Sequence, residues 1–159
     1  MSDTTTNAND EAITQLNTFL RGELSAVETY DQALEKLSGE EIPELTLNRD
    51  CHFRRTQLLA NAVVAKGGTP ETKSGAWGAL AQAATGSAKL FGRNAVISVL
   101  EEGEDRGLAD YRAAVGKGDE EIRQLIGGDL LPAQKRTHER MSQLEHRGAP
   151  KGKQATRSN

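Results

Sequence analysis

Residues 13–37 read ITQLNTFLRGELSAVETYDQALEKL, and this stretch decides the fold. Ile13, Leu16, Leu20, Val27, Tyr30, Leu34 and Leu37 recur three, four or seven apart, the repeat of one face of an α-helix. Position 23 belongs to that stripe and holds Glu23 where an apolar residue is expected. A second stretch repeats the arrangement. Gly22-Glu23, Val27, Tyr30, Ala33, Leu34 and Lys36 have counterparts at the same offsets in Gly103-Glu104, Leu108, Tyr111, Ala114, Val115 and Lys117. A matching pair follows each of these helices: His52, Arg54, Gln57 and Leu58 share their offsets with His138, Arg140, Gln143 and Leu144. Two copies of one helical hairpin account for both matches.

The rest of the chain completes four amphipathic helices. The first runs from about Asp10 to Leu37 and ends at Ser38-Gly39. The second covers about 43–66, with Leu45, His52, Leu59 and Val63 on one face, and stops at Gly67-Gly68-Thr69-Pro70. The third is expected from an Asn94 cap to about Val115, with Ile97, Leu100, Leu108, Tyr111 and Val115 inward. The fourth follows the cap Asp119 and runs to about Arg147, with Ile122, Ile126, Leu131, His138 and Met141 inward. Gly127, Gly128 and Pro132 should bend or break it. Short turns join the first two helices and the last two, so each pair is an antiparallel hairpin. The 68–93 connection is long enough to cross a whole bundle, and Trp77, Leu80, Ala84, Ala88 and Phe91 predict a short extra helix within it, about 75–91. The fold class is therefore all-α: a four-helix bundle over 10–148 with a long crossover between two hairpins. Residues 1–9 and the basic stretch 149–159 read as disordered tails.

Composition excludes several classes of function. Of 159 residues, 36% are hydrophobic and 4% aromatic, so the core is thin and rich in alanine. No run approaches the 18 or so apolar residues of a membrane helix. A pI of about 5.7 and a net charge of −3 argue against nucleic-acid binding. One cysteine, Cys51, excludes a disulfide scaffold and fits a cytoplasmic protein. No phosphate loop and no nucleophilic triad can be assembled, and Cys51 and His52 point about 100° apart on a helix. The expectation is a non-enzymatic protein, with Trp77 and the alanine-rich crossover supplying a dimer face.

The segment Leu16–Leu34, with Glu23 seven residues before Tyr30, resembles the first helix of bacterioferritins, and the chain resembles the ferritin-like superfamily. It is closer to a bacterial ferritin-like four-helix-bundle domain of unknown function. The crossover residues Gly75, Trp77, Gly78 and Leu80 match that domain's Gly-x-Trp-Gly-x-Leu, and Glu102–Asp105 matches its Glu-x-Gly-Glu-Asp less strictly. The resemblance implies a ferritin-like bundle, a stress-linked role and, more distantly, a di-iron centre of rubrerythrin or bacterioferritin type.

Such a centre needs one Glu from each of two helices and a Glu-x-x-His from each of the other two. Glu23 and Glu104 suit the first role, and His52 and His138 are candidates for the second. Arg49 and Lys135 stand where the two bridging glutamates belong, and cations there would repel iron. Axial level argues the same way. With the first turn centred at about 40.5, His52 lies some six residues, ~9 Å, from the level of Glu23. With the second centred at about 117, His138 lies about eight residues, ~12 Å, from that of Glu104. The expectation is a degenerate site without cofactor: a polar core layer drawn from Glu23, Tyr30, Arg49, His52, Arg55, Glu104, Tyr111, Lys135 and His138. Salt bridges and tyrosine hydroxyls would fill the space of the metals, with Arg55 close to the level of Glu23 and Lys135 close to that of Glu101, one helical step from Glu104. An apolar-ligand-binding bundle is the other alternative.

Overall fold

A computed structural model describes residues 2–75 and 92–148, with side chains from residue 7 onward. Helix α1 spans Ser2–Lys36, α2 Ile42–Ala65, α3 Arg93–Ala114, α4 Glu120–Gln124 and α5 Leu131–Gly148, with a π-helical turn at Leu125–Leu130 between the last two. The crossover helix expected at 75–91, the Trp77 dimer face and the 149–159 tail lie outside the described residues.

Ion pairs at the two ends fix the directions of the helices. At one end Arg93 meets Glu41 at 3.2 Å and Arg147 meets Glu44 at 3.3 Å. At the other, Lys66 meets Asp119 at 2.6 Å. Helices α1 and α2 thus form one antiparallel hairpin and α3 and α5 another, while α2 and α3 run the same way. Each hairpin packs most closely on itself, and α2 lies against α5.

Two boundaries differ from the sequence reading. Helix α1 starts at Ser2, eight residues before Asp10, and Asn9 is tied by its side-chain amide to the Lys66 carbonyl at 3.0 Å. Gly92, at φ +79, precedes α3, and Asn94 falls inside its first turn. As the glycines lead one to expect, the fourth helix is interrupted at Leu125–Leu130, there by a π turn. A π turn bonds each N–H five residues back, so Leu131 reaches the Ile126 carbonyl and the helix resumes around Pro132. Asp119 caps α4 as expected, its carboxylate accepting from the Ile122 N–H at 3.0 Å.

Burial divides the core in two. One apolar cluster gathers Leu16, Leu20, Leu59, Val63, Leu108, Ile122, Ile126 and Leu130. The other gathers Ala33, Leu45, Val96, Ile97, Leu100, Met141 and Leu144. Val115, expected inside, is 42% exposed, because α3 ends one residue before it and its backbone turns extended. Between the clusters lies a slab of buried polar residues. Tyr111 closes one cluster and Tyr30 the other, each with its hydroxyl pointing into the slab.

Candidate functional site

The slab is built from side chains of all four long helices. Helix α1 brings Glu23 and Tyr30, α2 brings Asn48, His52 and Arg55, α3 brings Glu104 and Tyr111, and α5 brings Gln134 and Thr137. All are buried.

His52 stands between the two acids. Its Nδ1 is 2.7 Å from Glu23 Oε2 and its Nε2 is 2.9 Å from Glu104 Oε1. Tyr111 donates to Glu23 Oε1 and Tyr30 to Glu104 Oε1, both at 2.6 Å. The remaining oxygen of Glu104 accepts from Gln134 Nε2 at 2.6 Å and from Thr137 Oγ1 at 2.8 Å. Asn48 donates to the Tyr30 hydroxyl at 2.9 Å and accepts from Arg140.

Arg55, 1% exposed, supplies the second positive charge. It donates to Gln134 Oε1 at 2.7 Å. Its Nε lies 3.2 Å from Glu23 Oε2, off the line of a hydrogen bond, and makes none. Its Nη2 is 2.6 Å from His52 Nδ1, so Arg55 and Glu23 compete for that nitrogen. With a proton on Nδ1, His52 donates to Glu23; without one, it accepts from Arg55.

Charge balance favours the protonated ring. Burial and Arg55 push the His52 pKa down, but the carboxylates of Glu104 and Glu23 outweigh them, and it ends above the ordinary value. Burial pushes Glu23 up, yet Arg55, His52 and the bond from Tyr111 hold it below the usual carboxylate range. Glu104 is likewise lowered against burial by His52, Tyr30 and Thr137. Two carboxylates, one guanidinium and one imidazolium sum to zero, which is how so many ionised groups can share a dry core. Both tyrosines are raised well above their ordinary value, first by burial and then by their glutamate partners, so they remain hydroxyl donors.

Of the nine residues expected in the layer, six meet there: Glu23, Tyr30, His52, Arg55, Glu104 and Tyr111. The other three do not. Arg49 turns outward to Asp31 at 2.8 Å and lies over the Phe53 ring. Lys135 is exposed on α5 and stands beside neither Glu101 nor Glu104 in the layer. His138 sits at the rim of the α3–α5 seam, 2.7 Å from Asp105.

The axial levels also differ from those expected. The first turn lies between Lys36 and Ile42 and is centred on Gly39, so Arg55, not Leu58, stands level with Glu23. His52 is then one helical step away, ~4.5 Å, which two side chains span. In the second hairpin the π turn uses more residues per ångström of axis, so α5 arrives late. Glu104 and Thr137 also lean toward each other, because side chains tilt toward the start of their own helix.

Asn48, Gln134 and Thr137 were missed. The signal for two of them was present: His52-x-x-Arg55 and Gln134-x-x-Thr137 share the three-residue step and lie 82 residues apart, beside the 81 of the two glutamates. The true internal repeat on α2 and α5 thus aligns His52 with Gln134, not with His138.

The geometry defines a helical bundle with a buried, internally neutralised ion-pair layer. The family described as a domain of unknown function (DUF2383) matches residues 11–117, from α1 through the end of α3, and the chain belongs to that family. No curated protein and no solved structure is significantly similar to it. Among the described residues no helix is long and apolar enough to cross a membrane.

Proposed function

We propose that this chain is a ferritin-like bundle in which an ion-pair layer stands where relatives of that superfamily hold two metals, and that its role is structural or protective and not enzymatic. The parallel course of α2 and α3 on either side of a long connection supports the ferritin-like reading. The observation that carries the rest is the state of the donors. Both oxygens of Glu23 and of Glu104 face protein donors, and the positions of two metal-binding pairs hold His52, Arg55, Gln134 and Thr137. A guanidinium repels a cation, and amide and hydroxyl groups are weak ligands beside carboxylate and imidazole. These residues do not fit a di-iron centre. Protein from iron-supplemented cells should carry fewer than two irons per chain and should not accelerate ferrous oxidation; two irons with turnover would refute the proposal.

A second reading has an observation of its own. A cavity of about 900 Å³ opens between α1 and α3, walled by Phe19, Gly22, Ala26, Gly103, Gly107 and Ala114, with Tyr111 and Glu23 at its floor. Its size suits a small ligand, and since the polar floor is already paired, the ligand would be largely apolar. Binding of an apolar fluorescent dye, abolished by Gly22→Leu, would favour this reading; equal binding by the variant would dismiss it.

A further inference from the structure

Helices α3 and α5 bring a second ionisable group together, on the face of α3 turned away from the α1–α3 cavity. Glu101 and Asp105, one turn apart on α3, and His138 of α5 offer ligand atoms within 4.8 Å of one another. Among the described residues no other three His, Cys, Asp or Glu side chains converge so closely. The central layer does not, because His52 gives one nitrogen to each glutamate.

We propose that Glu101, Asp105 and His138 form a site for one divalent transition-metal ion of the zinc type. One imidazole nitrogen and two carboxylate oxygens suit that ion, whereas calcium and magnesium favour all-oxygen shells. Ligand bonds of about 2.0–2.2 Å on a tetrahedron place neighbouring ligand atoms ~3.3 Å apart, inside the spread seen here. The Asp105 side chain is 66% exposed and that of His138 26%, so Asp105 can swing and water can complete the shell.

The electrostatics are those of an uncompensated anion. Glu101 is 9% exposed and lies beside the carboxylates of Asp105 and Glu145. Against these stand the Ser142 hydroxyl and His138. Among the described residues no guanidinium plays here the part that Arg55 plays in the core. An ion would replace the hydrogen bond between His138 Nε2 and Asp105 Oδ1, with the ring's N–H then on Nδ1, and would tie α3 to α5.

The test is calorimetric titration of Zn²⁺ into the chelator-treated full chain at neutral pH. One ion per chain is expected. Asp105→Asn and His138→Ala should each weaken binding by more than the roughly 10–100-fold that loss of an outer-shell partner costs. His146→Ala, on the exposed end of α5, should leave it unchanged. Co²⁺ should give a tetrahedral absorption band that is lost in Asp105→Asn, an exposed change that spares the fold. No binding at millimolar Zn²⁺, or an affinity in the Asp105 and His138 variants equal to that of the unaltered chain, overturns the proposal.

Discussion

Arg55→Met removes the guanidinium from the middle of the core and keeps the chain's bulk. Glu23 is then a buried carboxylate that has lost one of its two positive neighbours, and Gln134 Oε1 loses a donor at 2.7 Å. A unit pair about 4 Å apart is worth ~4 kcal/mol at an effective dielectric near 20. Relief of the contact between Arg55 and His52 works the other way. The measured cost of breaking a buried pair, about 3–5 kcal/mol, already contains such offsets and is the expected loss. Domains of this size are stable by only about 5–15 kcal/mol, so the variant should fold but unfold in much less urea. With a slope near ~2 kcal/mol per molar, the midpoint should fall by roughly 2 M without a change of slope. Glu23→Gln alone should also destabilise, since it leaves Arg55 in excess. The double variant Glu23→Gln/Arg55→Met should recover most of the loss, because two neutral groups need no ion partner. A single Arg55→Met variant that loses less than about 1 kcal/mol, or a double variant no better than the sum of the singles, would refute an ion pair at the centre of this fold.

Stability should depend on pH in both directions. Glu23 and Glu104 lie below their ordinary 4.5 when folded, so their contribution is full above that value and is lost as pH falls through the folded one. His52 lies above its ordinary 6.5 and faces Glu23, Glu104, Tyr30 and Arg55, so its contribution is full below 6.5 and is lost as pH rises through the folded value. Urea midpoints should peak between about 4.5 and 6.5, and His52→Gln should remove the alkaline decline; an unchanged decline in that variant would contradict the assignment. Gly107→Ala places a Cβ 2.9 Å from Gln134 Nε2, which is pinned to Glu104, and should cost about 1–3 kcal/mol by thermal unfolding. Gly103→Ala meets nothing within 4 Å and should gain about 0.5–1 kcal/mol from helix propensity, so equal effects at the two glycines would be inconsistent with the Gln134 bonds.

The helices were legible because apolar spacing is a local signal. Leu16, Leu20, Leu59, Leu108 and Ile126 are buried where their stripes predict. Glu23 and Glu104 were legible as interruptions of those stripes. Side-chain partners were less so, because they depend on axial register. An error of a residue and a half in the first turn put His52 out of reach of Glu23, and the π turn at Leu125–Leu130 shifted every later residue of α5. His138 drew attention as a metal-ligand type, while Gln134 and Thr137, residues of no particular chemical reputation, took the inner positions.

The two hairpins bring unequal charges to the layer. The first contributes Glu23, His52 and Arg55, a surplus of one positive charge when the imidazole is protonated; the second contributes Glu104 alone among ionised groups. Their apolar stripes are similar enough that a copy of either hairpin could otherwise take the place of the other. Two first hairpins packed together would enclose two excess cations, and two second hairpins would enclose two anions without a counterion. Only the unlike pair is neutral inside. The His52–Arg55 pair, present in one hairpin and replaced by neutral Gln134 and Thr137 in the other, therefore disfavours like-with-like association at a point where greasy surfaces alone could not tell the halves apart.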